Sequence, residues 1–138
     1  MIQSAGYSRR SLVEKLGIKA GFAVAFVGSP SDFHVTLGRL PERVTVRKGH
    51  AGSLDFIHFF SKDRREVEGK LPRLKQQLLP DGMLWVSWPK GSSGVKTDLN
   101  ENIIRAIALK NGLVDVKVCA VDDRWSGLKL VYRLKDRL

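Results

Sequence analysis

Four residues in one short stretch, Lys90, Ser92, Ser93 and Lys96, have the types and spacing to hold an anion. Two ammonium groups, two hydroxyl donors and the amides ahead of a helix predicted to begin at Asp98 would make a cradle for a phosphate or carboxylate. This is not a nucleotide P-loop, because Gly91-Ser92-Ser93-Gly94-Val95-Lys96 lacks the spacing G-x-x-x-x-G-K-[ST]. Further candidates stand where other predicted strands end: Gly28 and Ser29 after one apolar run, Arg47 and Lys48 after a short β-branched one. Trp125, next to the charged turn Asp122-Asp123-Arg124, is a candidate pocket wall or edge-strand anchor.

The residues that most often carry catalysis form no set. His34, His50 and His58 form no constellation: they fall on a short helix, in a loop and inside a strand, without the paired spacing of a metal site. His58 sits inside the run LDFIHFF and reads as a buried, hydrogen-bonded histidine. No G-x-S-x-G elbow is present. The single Cys119 excludes an intramolecular disulfide framework and a cysteine-rich zinc site, and reads as a small buried hydrophobe. Asp122 and Asp123 are adjacent and read as turn formers.

The elements that must position the candidates alternate between helix and strand. Residues 11–16 read as a helix with a capping box, Ser11 with Glu14, stopped by Gly17. Residues 22–27 are an unbroken apolar run, the mark of a strand covered on both faces. A short helix over 32–37 is closed by Gly38, and strands follow over 44–46 and 54–60. Residues 62–79 carry Val67, Leu71, Leu74 and Leu78 on one stripe, with Gly69 and Pro72 inside, which implies a kink or two consecutive helices. Pro80-Asp81-Gly82 reads as a turn into a strand over 83–88, where Trp85 and Trp88 point to opposite faces and both are assigned to the core. A helix over 98–111 is read with Asp98 and Glu101 as its capping box, Ile103 and Ile107 on its inner face and Gly112 as its stop. Residues 113–121 and 125–134 form a closing antiparallel hairpin that supplies the sheet's edge, with its exposed last strand available to a second copy.

This order predicts one three-layer α/β domain over residues 1–138, with right-handed crossovers, a mainly parallel sheet and a C-terminal antiparallel hairpin. In such a sheet ligands bind outside the carboxyl ends of the strands. Of 138 residues, 43% are hydrophobic and 28% charged, as in ordinary folded proteins. No run is long enough for a membrane helix and the first residues lack a signal-peptide core, so a cytoplasmic protein is expected. The net charge of +10 points toward polyanions, nucleic acid among them, but it is spread along the chain without runs or arginine-glycine repeats.

Three segments resemble S-adenosylmethionine-dependent methyltransferases: Leu54-Asp55-Phe56-Ile57, Leu79-Pro80-Asp81-Gly82-Met83-Leu84 and the closing hairpin. The resemblance implies a Rossmann-like, methyltransferase-like topology. In that family a glycine-rich turn after the first strand approaches the cofactor, and an acidic residue ending the second strand binds its ribose. Here the corresponding positions are Gly28-Ser29-Pro30-Ser31-Asp32 and Arg47-Lys48. An arginine in the second place suits the 2′-phosphate of NADP, although the dinucleotide glycine pattern is absent. Over nearly its full length the chain is also similar to a family of small bacterial proteins without an assigned activity, through Ala5-Gly6-Tyr7-Ser8, Lys15-Leu16-Gly17-Ile18-Lys19, Trp88-Pro89-Lys90, residues 112–118 and Trp125-Ser126-Gly127-Leu128.

The expectation is therefore a non-catalytic basic domain without a cofactor. It would bind an anionic small molecule or a partner through Gly28, Ser29, Arg47, Lys48, Lys90, Ser92, Ser93, Lys96 and Trp125. The alternatives are a methyltransferase using S-adenosylmethionine through an atypical loop, and a nucleic-acid accessory protein.

Overall fold

The computed structural model describes residues 10–48 and 52–137. His50 and the segment 5–8 lie outside the described residues. The elements run α1 (Leu12–Leu16), β1 (Ala23–Val27), α2 (Phe33–Leu37), β2 (Thr45–Val46), β3 (Leu54–Phe60), α3 (Arg64–Gln77), β4 (Leu78–Pro89), α4 (Glu101–Lys110), β5 (Leu113–Ala120) and β6 (Trp125–Tyr132). The six strands form one sheet in the order β2-β1-β3-β4-β6-β5. Strands β2, β1, β3 and β4 are parallel, and β6 is antiparallel to both β4 and β5. The predicted three-layer, mainly parallel α/β architecture is the one found.

Each face of the sheet has its own core. On one face Val67, Leu71 and Leu74 of α3 and Ile104, Ile107 and Ala108 of α4 cover Phe59, Leu84, Val86 and Trp88. On the other, Val13 and Leu16 of α1 and Phe33 and Leu37 of α2 cover Phe56, Phe60 and Trp85. Trp85 and Trp88 thus enter opposite cores, as the pleat requires. Trp85 is fully buried and its indole Nε1 donates to the Leu16 carbonyl at 2.8 Å, tying α1 to the sheet. Helix α1 has the predicted capping box, and Gly17 closes it at φ 87°.

Five details depart from the sequence reading. Helix α3 ends at Gln77, and Leu78 and Leu79 already belong to β4. Pro72 lies within this one helix on its exposed side, between the buried Leu71 and Leu74, so the hydrogen bond it cannot make is lost where water is available. Pro80-Asp81-Gly82 is not a separate turn but an irregular part of β4. There the pairing advances from Leu54↔Leu78 to Phe56↔Met83, two steps along β3 against five along β4. Asp98 does not cap α4. Asn100 does, accepting from the Ile103 amide at 2.9 Å, while Asp98 reaches across to accept from the Arg64 amide at 2.7 Å. Finally, the last strand is interior: β6 lies between β4 and β5, and the exposed edge falls to β5. An antiparallel partner for the parallel strand β4 must run the way β6 does, which leaves β5 outside.

Candidate functional site

Strand β1 stands between β2 and β3, so the chain leaves β1 toward one side and later returns on the other. At such a reversal the connections diverge and open a crevice at the carboxyl ends. A cleft of about 380 Å³ lies there, lined among others by Gly28, Phe60, Lys62, Glu66, Arg124 and Trp125. A neighbouring hollow of about 270 Å³ shares Pro30, Arg124 and Trp125 and adds Asp32, Phe33 and Asp123.

Local chemistry sets each wall. Gly28 takes φ 70°, and a Cβ there would lie 2.8 Å from the Phe60 carbonyl oxygen, so only glycine lets β1 turn away this close to β3. Trp125 is set by Asp122, whose Oδ1 accepts from the amides of Arg124 at 2.8 Å and Trp125 at 2.9 Å. Its ring meets Phe60 edge-on at 5.2 Å. The Lys90 amide donates to the Arg124 carbonyl at 2.8 Å and so holds the end of β4 against that turn.

The polar groups on the α3 side are already committed to one another. Ser61 Oγ donates to Glu66 at 2.5 Å, and Lys70 donates to the same carboxylate at 2.9 Å. The Ser61 hydrogen bond, followed by the Lys70 contact, holds the Glu66 carboxyl below its ordinary range. A carboxylate stabilised in this way is a weak base. His58 is fully buried beneath Phe33, and burial pushes its pKa down to about 3.

The sequence-predicted residues fall into separate places. Gly28 and Trp125 share the main cleft, with the Lys90 backbone bracing it. Ser29 lines a different hollow, with Phe26, Phe33 and His34. Arg47 and Lys48 line a third, with Leu74 and Gln77, and Arg47 Nη2 donates to the Ser53 carbonyl at 3.0 Å. Lys96 lies in a shallow depression with Lys62, Asp63 and Asp98. Ser92 is exposed, and Ser93 Oγ donates to the Lys90 carbonyl at 2.6 Å and accepts from the Val95 amide. Ahead of α4 the Leu99 N–H donates to Thr97 Oγ1, and within its first turn the Ile103 N–H donates to Asn100 Oδ1. Sequence reasoning passed over Lys62, Glu66 and Arg124. Lys62 follows the strand β3 by two residues and Arg124 precedes β6, so the rule that ligands gather at strand ends would have found both, had it been extended to the entry of an antiparallel strand.

The fold has well-matched counterparts among solved structures. A SAM-dependent methyltransferase from Aquifex aeolicus superposes with a TM-score of 0.64 at 17% identity, covering 86% of each chain. Magnesium protoporphyrin IX methyltransferase from Synechocystis, solved with bound SAM, gives 0.56 at 16% identity over 88% of this chain and 74% of that one. Ribosomal protein L11 methylase from Lactobacillus delbrueckii gives 0.58 at 15% identity over 88% and 75%. The methyltransferase-like Rossmann topology expected from the sequence is thus shown. No family model and no curated protein sequence matches the chain. Among the described residues no helix is long and apolar enough to cross a membrane.

The cofactor implied by this fold does not fit these residues in the family's usual manner. The turn after β1 carries one glycine, Gly28, followed by Ser29 and Pro30, in place of a glycine-rich turn. The end of β2 offers the cation of Arg47, engaged with Ser53, where a ribose-binding carboxylate would stand.

Proposed function

We propose that this chain is a small-molecule-binding domain without catalysis of its own, and that its ligand joins an anionic group to a flat apolar part. The observation that carries this reading is the open cleft of about 380 Å³ in which Lys62 and Arg124 meet Phe60 and Trp125. The cations suit phosphate or carboxylate, and the rings suit a planar group. Two features support binding over catalysis: the Glu66 carboxylate is held ionised by Ser61 and Lys70, and the His58 imidazole is sealed from solvent. Calorimetry with adenosine monophosphate, set against unphosphorylated adenosine, tests the reading. Binding of the phosphorylated compound should weaken about tenfold in Lys62→Met and in Arg124→Met, about 1.4 kcal/mol each. No heat from any phosphorylated or carboxylated planar compound at millimolar concentration would overturn it.

A second reading, binding of S-adenosylmethionine in an altered pose, is favoured by the solved neighbours, one of which holds that molecule. A thermal shift with S-adenosylmethionine or its demethylated product, and none with adenosine monophosphate, would replace the first reading by the second.

A further inference from the structure

Away from the cleft, strands β4, β6 and β5 carry Trp85, Lys129 and Lys117 in one cross-strand row. Trp85 stands opposite Lys129, and Lys129 opposite Lys117. Cross-strand partners share a face of the sheet. Here it is the face of α1, whose last carbonyls receive two of the row's donors: Leu16 that of Trp85 at 2.8 Å, and Lys15 that of Lys117 at 3.3 Å. Lys19 follows Gly17, the residue that closes α1.

Like charges placed directly opposite one another on neighbouring strands are destabilising. Among the described residues no carboxylate is paired with Lys19, Lys117 or Lys129. Asp115 is engaged by Arg105 toward α4, and Glu14 is engaged by the Ser11 cap. Partial burial and then the charges of Lys117 and Lys19 hold the Lys129 ammonium below its ordinary range. Lys117 and Lys129 thus share one face, Lys19 lies near enough for its charge to act on Lys129, and no ion pair among the described residues offsets the three cations.

We infer that Lys19, Lys117 and Lys129 form a phosphate-binding site on the α1 face of the β5–β6 hairpin, for a phosphate group either free or carried in a nucleic-acid backbone. A phosphate over the row replaces mutual repulsion with charge-assisted hydrogen bonds. Lys117 keeps two N–H donors beyond the one given to Lys15. Lys129 lies four residues along β6 from Trp125, roughly 13 Å at the strand rise, so the row is distinct from the cleft.

Amide NMR with inorganic pyrophosphate on the full chain tests the site by location. The Lys19, Lys117 and Lys129 amides should move together, and the affinity read from them should fall at least tenfold in the double variant Lys117→Gln, Lys129→Gln. Lys110→Gln, which removes an exposed charge on α4 at the opposite face, should leave it unchanged. If the double variant fails to fold, Lys19→Gln alone, in an exposed position, should lower the affinity severalfold. A labelled single-stranded oligonucleotide then separates the sources. Binding that weakens in the same variants, with a shallower salt dependence, assigns the phosphate to nucleic acid; pyrophosphate binding without oligonucleotide binding assigns it to a free phosphate compound. Shifts confined to the surroundings of Gly28 and Trp125, or affinity indifferent to all three lysines, would overturn the inference and leave the cleft reading standing.

Discussion

His58 should be the main source of acid sensitivity in this fold. Its side chain is fully buried, Nε2 is paired with Ser87 Oγ at 2.7 Å, and Nδ1 has no partner among the described residues. Phe60 stacks on the ring at 4.0 Å and Phe33 covers it edge-on at 5.2 Å. Burial lowers the pKa from 6.5 to about 3. The folded pKa is thus below the unfolded one, and between the two values the unfolded chain binds more protons. Stability from this group is therefore complete above the unfolded value and is lost as pH falls toward the folded one. At about 1.4 kcal/mol per pH unit, acidification from about pH 7 to about pH 4 removes about 3 kcal/mol. That is a large share of the roughly 5–15 kcal/mol a domain possesses. The assay is urea unfolding at both pH values for the wild type and for His58→Leu combined with Ser87→Ala, so that no buried hydroxyl is left without its partner. Whatever stability the double variant has at neutral pH, its loss on acidification should be smaller by about 3 kcal/mol. Equal losses in the two proteins, or an imidazole that titrates near 6.5 in the folded state by NMR, would refute the reasoning.

Three further outcomes concern the site's supports. Gly28→Ala forces a side chain into left-handed backbone against the Phe60 carbonyl, so it should destabilise by about 2 kcal/mol or more and lower the urea midpoint accordingly. Asn100→Ala removes the cap of α4 and should cost about 1 kcal/mol with faster amide exchange at Ile103, whereas Asp98→Ala should instead speed exchange at Arg64 on α3.

Much of the fold was legible because local chemistry and tertiary need agree. The Ser11–Glu14 box, the apolar run of β3 and the stripe on α3 each specify their element without help from afar. The misreadings arise where distant partners decide. Asp98 looks like a cap to the residues after it, yet the open amide of Arg64, 34 positions earlier in the chain, claims it. Pro80-Asp81-Gly82 has turn composition, but β3 accommodates it as a register slip within a longer strand. Of the candidate site, Gly28 and Trp125 were readable from their neighbours. The convergence of Lys62, Glu66 and Arg124 depends on where β6 inserts, and no local pattern encodes that.

The insertion of β6 between β4 and β5 also dictates an order of assembly. Among the described residues strand β5 has no strand neighbour except β6, although it precedes β6 in the chain. It must therefore either fold back with β6 as a preformed hairpin or wait as an orphan until β6 docks on β4, about forty residues away in sequence. Both routes require that loop to close, but a hairpin forms within microseconds and carries β5 into the sheet together with β6. The hairpin route therefore makes residues 121–125 a kinetic hinge. Substitutions in the Asp122 turn, which also sets Trp125, would delay completion of the sheet even where they leave its final stability nearly unchanged.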